Sequence, residues 1–364
     1  MDKSKMTIGV MQTIMIMMLY NGLISHVIIN PMVLDASGRD AWISALVTAV
    51  LFLPWSLILI YIMRKSAGEK LQPWLARRTT AWLSWVMLVP VAVQLYLIGG
   101  LTILHTSIWT VSNYLPATPQ YVLIIALVIV CHYAACHGIR TIAIGAGILL
   151  PTVVLLGYFV SISNMSEKDW LMLKPFMENG PEPVLNGMIF CGGAFVELSI
   201  LLLFQHRLRV KMKAWHMLIL AGIIVYITLG PMVGAITEFG PKEAAKQMVS
   251  PYEQWRLVKL GNYIEHVDFL SVYQWLAGAS IRIGLSQFLL ADMFPFKKPK
   301  SRRWLITGIS LSYIVLAIIG SHMNTFYLGI YESYMQLSLV LTLILTSIWA
   351  VIAWRSKSAK EEPA

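Results

Sequence analysis

At 364 residues the chain is long enough for two soluble domains, yet 57% of its residues are hydrophobic and only 13% charged, against roughly 25% charged in a soluble domain. That excludes ordinary globular folds and predicts an all-α polytopic membrane protein, one transmembrane domain over residues 1–364. The formal charge of +10 falls in short loops, where it sets orientation rather than attracting nucleic acid.

The chain opens with Lys3 and Lys5 before an apolar run, as a signal peptide would. The run continues past Ile29 with no small-residue cleavage site, so a retained first helix is expected. Segments of the length that crosses a hydrocarbon core follow at Ile8 to Val33, Trp42 to Met63, Leu83 to Trp109, Gln120 to Cys136 and Thr141 to Ser161. A second group comprises Val184 to Phe204, Ala214 to Thr237, Ile264 to Leu290, Trp304 to Met323 and Ile330 to Trp354. Ten spans put both termini on one side, with a tail at 355–364. Placing the termini in the cytoplasm leaves twenty Lys and Arg on the inner connections and seven on the outer ones, as the positive-inside rule requires. The inner stretch Arg64 to Arg78 mixes basic residues with Leu71, Trp74 and Leu75, which suits an interfacial helix or a solvated linker. In the outer connection Glu238 to Tyr263, helix formers behind Pro241 predict a surface helix over Pro241 to Val249.

The first span is interrupted at Tyr20-Asn21-Gly22, with Ser25-His26 beyond, and the sixth at Cys191-Gly192-Gly193. Matching interruptions in two five-span halves, about 1–163 and 184–354, point to an inverted-repeat transporter with its site near the midplane. A broken helix would present N–H groups to a carboxylate and C=O groups to an ammonium or a cation, which matches a zwitterionic amino acid. The competing explanation is close helix packing at small residues.

Charged residues at depth are few. Glu197 lies one turn beyond the Gly-Gly step, and Arg282, late in the eighth span, is the basic residue deep enough to be its partner. A structural ion pair competes with a proton-coupling role for Glu197. Asp268, Ser271, Trp275, Gly278 and Arg282 recur at steps of three and four and share one helix face. Glu265 and His266 are expected at a hydrated outer mouth, and Asp268 is a site or gate candidate. Tyr96, on the third span, either closes a pocket or anchors packing through one hydrogen bond. Cys131, Cys136 and Cys191 sit in apolar runs as small hydrophobes, and the remaining histidines do not cluster. With no phosphate loop, catalytic triad or zinc spacing, neither an enzyme, a cofactor nor a metal site is expected.

The stretches Pro251-Tyr252-Glu253-Gln254-Trp255-Arg256 and Ile264 to Trp275, with the opening Gly9-Val10-Met11-Gln12, resemble the B subunits of GerA-type spore germination receptors. The resemblance covers essentially the whole chain. It implies membership of the amino acid–polyamine–organocation transporter superfamily and a LeuT-like fold of five plus five spans with helices 1 and 6 interrupted. It also implies germinant sensing in the inner membrane of a dormant spore, beside an A subunit and a C-subunit lipoprotein. The ligand pocket would then lie at Asn21, Gly22, Tyr96, Cys191, Gly192, Gly193, Ser271 and Trp275. An amino acid symporter driven by H⁺ or Na⁺ is the alternative, and a structural subunit with a vestigial pocket is a third possibility.

Overall fold

The computed structural model describes residues 7–259, 266–296, 298–320 and 326–355. Lys3, Lys5, Glu265, Lys297, His322 and the tail from residue 356 lie outside the described residues. All the extended secondary structure is helical. Among the described residues the one departure is an isolated parallel bridge between Ile8 and Leu208.

The first helical run, Val10 to Lys65, is 56 residues long. Straight, it would extend about 84 Å at ~1.5 Å per residue, nearly three times the ~30 Å of a bilayer core. Gly38, at φ +54°, divides it at a backbone angle that L side chains rarely adopt. Before that glycine lie α1 (Val10–Leu23), one π-helical turn (Ile24–Ile28) and α2 (Ile29–Ser37), and after it α3 (Ala41–Lys65). Next come α4 (Leu71–Arg78), α5 (Ala81–Asn113), α6 (Gln120–His137) and α7 (Ile139–Ser163). Thr80 caps α5 by accepting from the Leu83 amide at 3.2 Å, the side-chain capping that exposed N–H groups require. Gly138, at φ +98°, turns α6 into α7 in a single residue.

The second half holds α8 (Glu182–Phe195), a 3₁₀ stretch (Val196–Ile200), α9 (Leu201–Phe204) and α10 (Ala214–Phe239). It continues through α11 (Pro241–Ala244), α12 (Ser250–Leu257), α13 (Leu270–Met293), α14 (Pro299–Gly320) and α15 (Phe326–Arg355). The described parts of the ten apolar segments fall mostly on these helices, although the eighth helix begins only at Leu270. Among the described residues, eight helical stretches are long and apolar enough to cross a membrane. The chain is a multi-pass membrane protein. Helix α13 is not among the eight because it carries Arg282, Ser286, Gln287 and Asp292, yet from Ala277 to Met293 only Ser280 escapes full burial. A polar helix so placed sits inside the bundle, shielded from lipid. It packs against α1, α5, α6 and α7, while α8 packs against α2, α3 and α15.

Two local expectations change. The helix predicted over Pro241 to Val249 is one turn, Pro241–Ala244, and the longer helix starts at Ser250, where Pro251 occupies the first turn. A proline there loses no intrahelical bond. The basic stretch does form a helix, α4, with Leu71, Trp74 and Leu75 buried.

Candidate functional site

The two glycine steps remain helical. Asn21 and Gly22 lie within α1 and the pitch widens to a π turn just after them, whereas Cys191, Gly192 and Gly193 lie within α8 and the pitch tightens to 3₁₀ at Val196. Changes of pitch loosen backbone carbonyls from regular pairing, and side chains of this chain meet carbonyls near both. Asn21 Nδ2 donates to the Ala194 carbonyl at 3.2 Å, and Arg282 Nη1 donates to the Tyr20 carbonyl at 3.0 Å. Each irregular turn is thereby cross-braced to another helix.

Glu197 and Arg282 meet beside these turns. Arg282 donates to both carboxylate oxygens, at 2.6 and 2.8 Å, and both side chains are essentially fully buried. Tyr334 donates to Glu197 Oε1 at 2.9 Å, Arg282 Nε donates to Thr102 at 3.2 Å, and the guanidinium lies 4.8 Å from the Tyr20 ring centroid. The two-pronged fork fixes geometry as well as charge. The surrounding bonds satisfy the donors and acceptors that a buried pair would otherwise leave unmet.

A separate cavity of about 390 Å³ opens between α1, α7, α10, α12 and α13, within the size range of small-molecule sites. Gly22, Ser271 and Trp275 line it, as do His26, Trp109 and Tyr252. Trp275 stacks on Trp109 at 4.0 Å and 8°, its Nε1 donating to Thr106 Oγ1 at 3.0 Å, and Tyr252 meets Trp109 edge-on at 89°. His26 Nδ1 faces the Ile227 carbonyl at 3.0 Å. A carbonyl only accepts, so Nδ1 carries the proton in this contact.

The other candidates stand apart from the cavity. Tyr96 donates to Ser312 at 2.9 Å, with its ring against Tyr313. Cys191 is buried. Gly192 and Gly193 face α15: an added Cβ would come within 3.0 Å of Leu339 Cδ1 and 2.5 Å of the Met335 carbonyl oxygen. These glycines serve close helix packing, so the sixth span does not wall the cavity as the repeat argument expects. Asp268 is half-buried and takes Tyr114 OH on its own carbonyl at 2.8 Å and on Oδ2 at 3.3 Å, while that hydroxyl also bonds Ser271 at 3.0 Å. His266 is exposed.

The family model for spore germination proteins matches residues 7–326. The chain is also 39% identical to Spore germination protein XB of Bacillus anthracis over 339 residues, 93% of this chain and 95% of that protein. The chain belongs to the spore germination protein family. The family match accords with the motifs at Pro251 to Arg256 and Ile264 to Trp275, which contribute Tyr252, Trp255, Ser271 and Trp275 to the cavity. The walls that sequence reasoning missed are Leu150 to Ser161 of α7 and Ile223 to Pro231 of α10, together with Trp109 and Lys168. Lys168 pairs with the buried Glu238, which also receives Asn164 Nδ2 at 3.3 Å. The signal for Lys168 and Glu238 lay in a base and an acid placed in the two long outer connections, Ile162 to Pro183 and Glu238 to Tyr263. The aliphatic walls carry none, because Val and Leu look alike whether they face lipid, a neighbour or a ligand.

Proposed function

We propose that this chain is the nutrient-sensing B-type subunit of a germination receptor, built as a LeuT-like five-plus-five repeat. It would reside in the inner spore membrane with both termini cytoplasmic. A small nutrient, an amino acid by preference, binds the cavity of about 390 Å³ and shifts a transporter-like equilibrium that an A subunit and a C-subunit lipoprotein read. The shift requires different affinities for the two conformations. The observation that carries the reading is the stacked Trp109–Trp275 pair beside the π turn of α1, a rigid aromatic wall next to a helix segment whose pitch is already irregular.

Aromatic faces suit an aliphatic side chain or an ammonium, and His26 and Ser271 provide polar contacts for orientation. The symporter alternative draws less support. Glu197 is held by two bonds from Arg282 and one from Tyr334 and does not line the cavity.

The test is binding of labelled amino acids to the purified protein, paired with counterflow in proteoliposomes. Saturable binding without counterflow is expected. Counterflow would make the protein a transporter, and no binding by any nutrient would remove the sensing role.

A further inference from the structure

At the end of α10 away from Glu238, the connections that carry most of the basic residues draw their charges together. Asp292 closes α13 and accepts from Arg207 and, at 2.9 Å, from His206 Nε2. The guanidiniums of Arg207 and Arg302 lie 5.9 and 4.8 Å from the centroid of the same ring, Phe288, one turn before Asp292. Lys70 is brought to the same place by Gln205, whose Nε2 donates to the Glu69 carbonyl at 2.8 Å and whose Oε1 receives Ser66 at 3.2 Å. The carboxylate of Glu69 is engaged by Arg77.

One carboxylate thus serves three cationic side chains. Lys70 is half-buried, and its ammonium has no ion-pair or hydrogen-bond partner among the described residues. Burial lowers its pKa below the usual lysine range, and Arg207 and Arg302 push the same way against the pull of Asp292. Among the described residues, Arg207 Nε and His206 Nδ1 are buried with no hydrogen-bond partner, and the hydrogen bond of the Arg302 guanidinium is a long one, 3.4 Å, to the Ala135 carbonyl. Donors and positive charge withdrawn from water without a counter-charge carry a desolvation cost. A dianion or monoanion with several acceptor oxygens would relieve it, with the guanidiniums as forks and the ammonium as a point charge.

The depth fits a lipid headgroup. Trp85 stacks on Phe294 at 5.4 Å, and Phe296 and Trp304 are exposed nearby in the chain. Aromatic side chains of this kind collect at the membrane–water boundary.

We propose that Lys70, Arg207 and Arg302 form a binding site for a phosphate group at the membrane boundary. The phosphodiester of an anionic phospholipid and free phosphate share that chemistry. The proposal is independent of the nutrient-sensing reading.

The test follows the melting midpoint of the full chain in neutral detergent while short-chain phosphatidylglycerol, short-chain phosphatidylcholine or inorganic phosphate is added. A saturable rise with phosphatidylglycerol and little or none with phosphatidylcholine is expected. The Lys70→Gln/Arg302→Gln variant should need about thirtyfold more phosphatidylglycerol for half the effect. Lys211→Gln/Lys213→Gln removes the same charge from exposed positions and should respond as the parent does. An equal response to inorganic phosphate supports the site and assigns it to free phosphate. If the double variant does not fold, Lys70→Gln alone replaces it, since it breaks no hydrogen bond or ion pair. No rise with either phosphate source, or an undiminished rise in the variants, overturns the proposal.

Discussion

Arg282 and Glu197 form a two-pronged buried ion pair that ties α13 to the 3₁₀ stretch after α8. Tyr20 of α1, Thr102 of α5 and Tyr334 of α15 bond to the same pair. Five segments distant in sequence therefore converge on one guanidinium and one carboxylate. A pair so connected holds the two irregular turns in register with each other, and any conformational signal that moves α1 against α8 must strain it.

Removing one partner should be far worse than removing both. Arg282→Met leaves a carboxylate without its counter-charge, and Glu197→Gln leaves a guanidinium without its own, both at fully buried positions. Each single variant should lose about 3–5 kcal/mol, and the double variant much less than the sum. Melting midpoints of the four proteins in detergent check this; additive losses would show that the two side chains act independently.

Gly193 should tolerate not even a methyl group. Its added Cβ would sit 2.5 Å from the Met335 carbonyl oxygen, which is backbone, whereas at Gly222 nothing lies within 4 Å. Gly193→Ala should force α8 and α15 apart at a cost of about 1–3 kcal/mol, and Gly222→Ala should melt as the parent does. At Gly192 the obstacle is the flexible end of Leu339, so the alanine there should fall between them.

The difference between these glycines shows what the sequence could and could not carry. Apolar runs of span length mark the helices because hydrocarbon demands them. The pairing of Glu197 with Arg282 was legible because few other charges lie at that depth. Gly192 and Gly193 are ambiguous in sequence: a missing side chain makes room equally for a ligand or for a neighbouring backbone, and only the position of Met335 separates the two. Gly22 and Ser271 do reach the cavity, Gly22 on a face turned toward Ile227 of α10. The Trp109–Trp275 stack joins helices with no periodic relation to one another, so it becomes visible only once α5 and α13 are packed.

Gly22 gives a direct handle on the cavity. A methyl group there would meet Ile227 Cδ1 at 3.7 Å, an ordinary contact, so Gly22→Ala should fold normally. Gly22→Leu places a branched side chain into the space a nutrient would fill. It should weaken amino acid binding by at least about tenfold, with a melting midpoint near that of Gly22→Ala. Equal affinities in the two variants would place the nutrient elsewhere.

Trp275 tests the aromatic wall. Trp275→Phe keeps a ring against Trp109 but removes the Nε1 bond to Thr106, at about 1 kcal/mol of stability. Trp275→Ala removes the wall itself. Nutrient affinity should fall modestly in the first variant and steeply in the second, as measured by equilibrium binding. The same affinity in both would mean that the ring packs the helices without touching ligand.

Lys168 fastens the outer connection over the cavity it lines. Its partner Glu238 is fully buried on the side-chain scale and keeps Asn164 as its other donor. Losing the ammonium alone strands a carboxylate, whereas losing both charges leaves a neutral amide near Asn164. Lys168→Met should therefore loosen the segment between α7 and α8 and speed chymotryptic cleavage after the exposed Trp170, while Lys168→Met/Glu238→Gln should return the rate most of the way to the parent's. The direction follows from the cost of an unpaired buried charge, which exceeds the net worth of the pair. Cleavage equally fast in both variants would mean that packing of the 3₁₀ turn Trp170–Leu173, and not the ion pair, holds this segment in place.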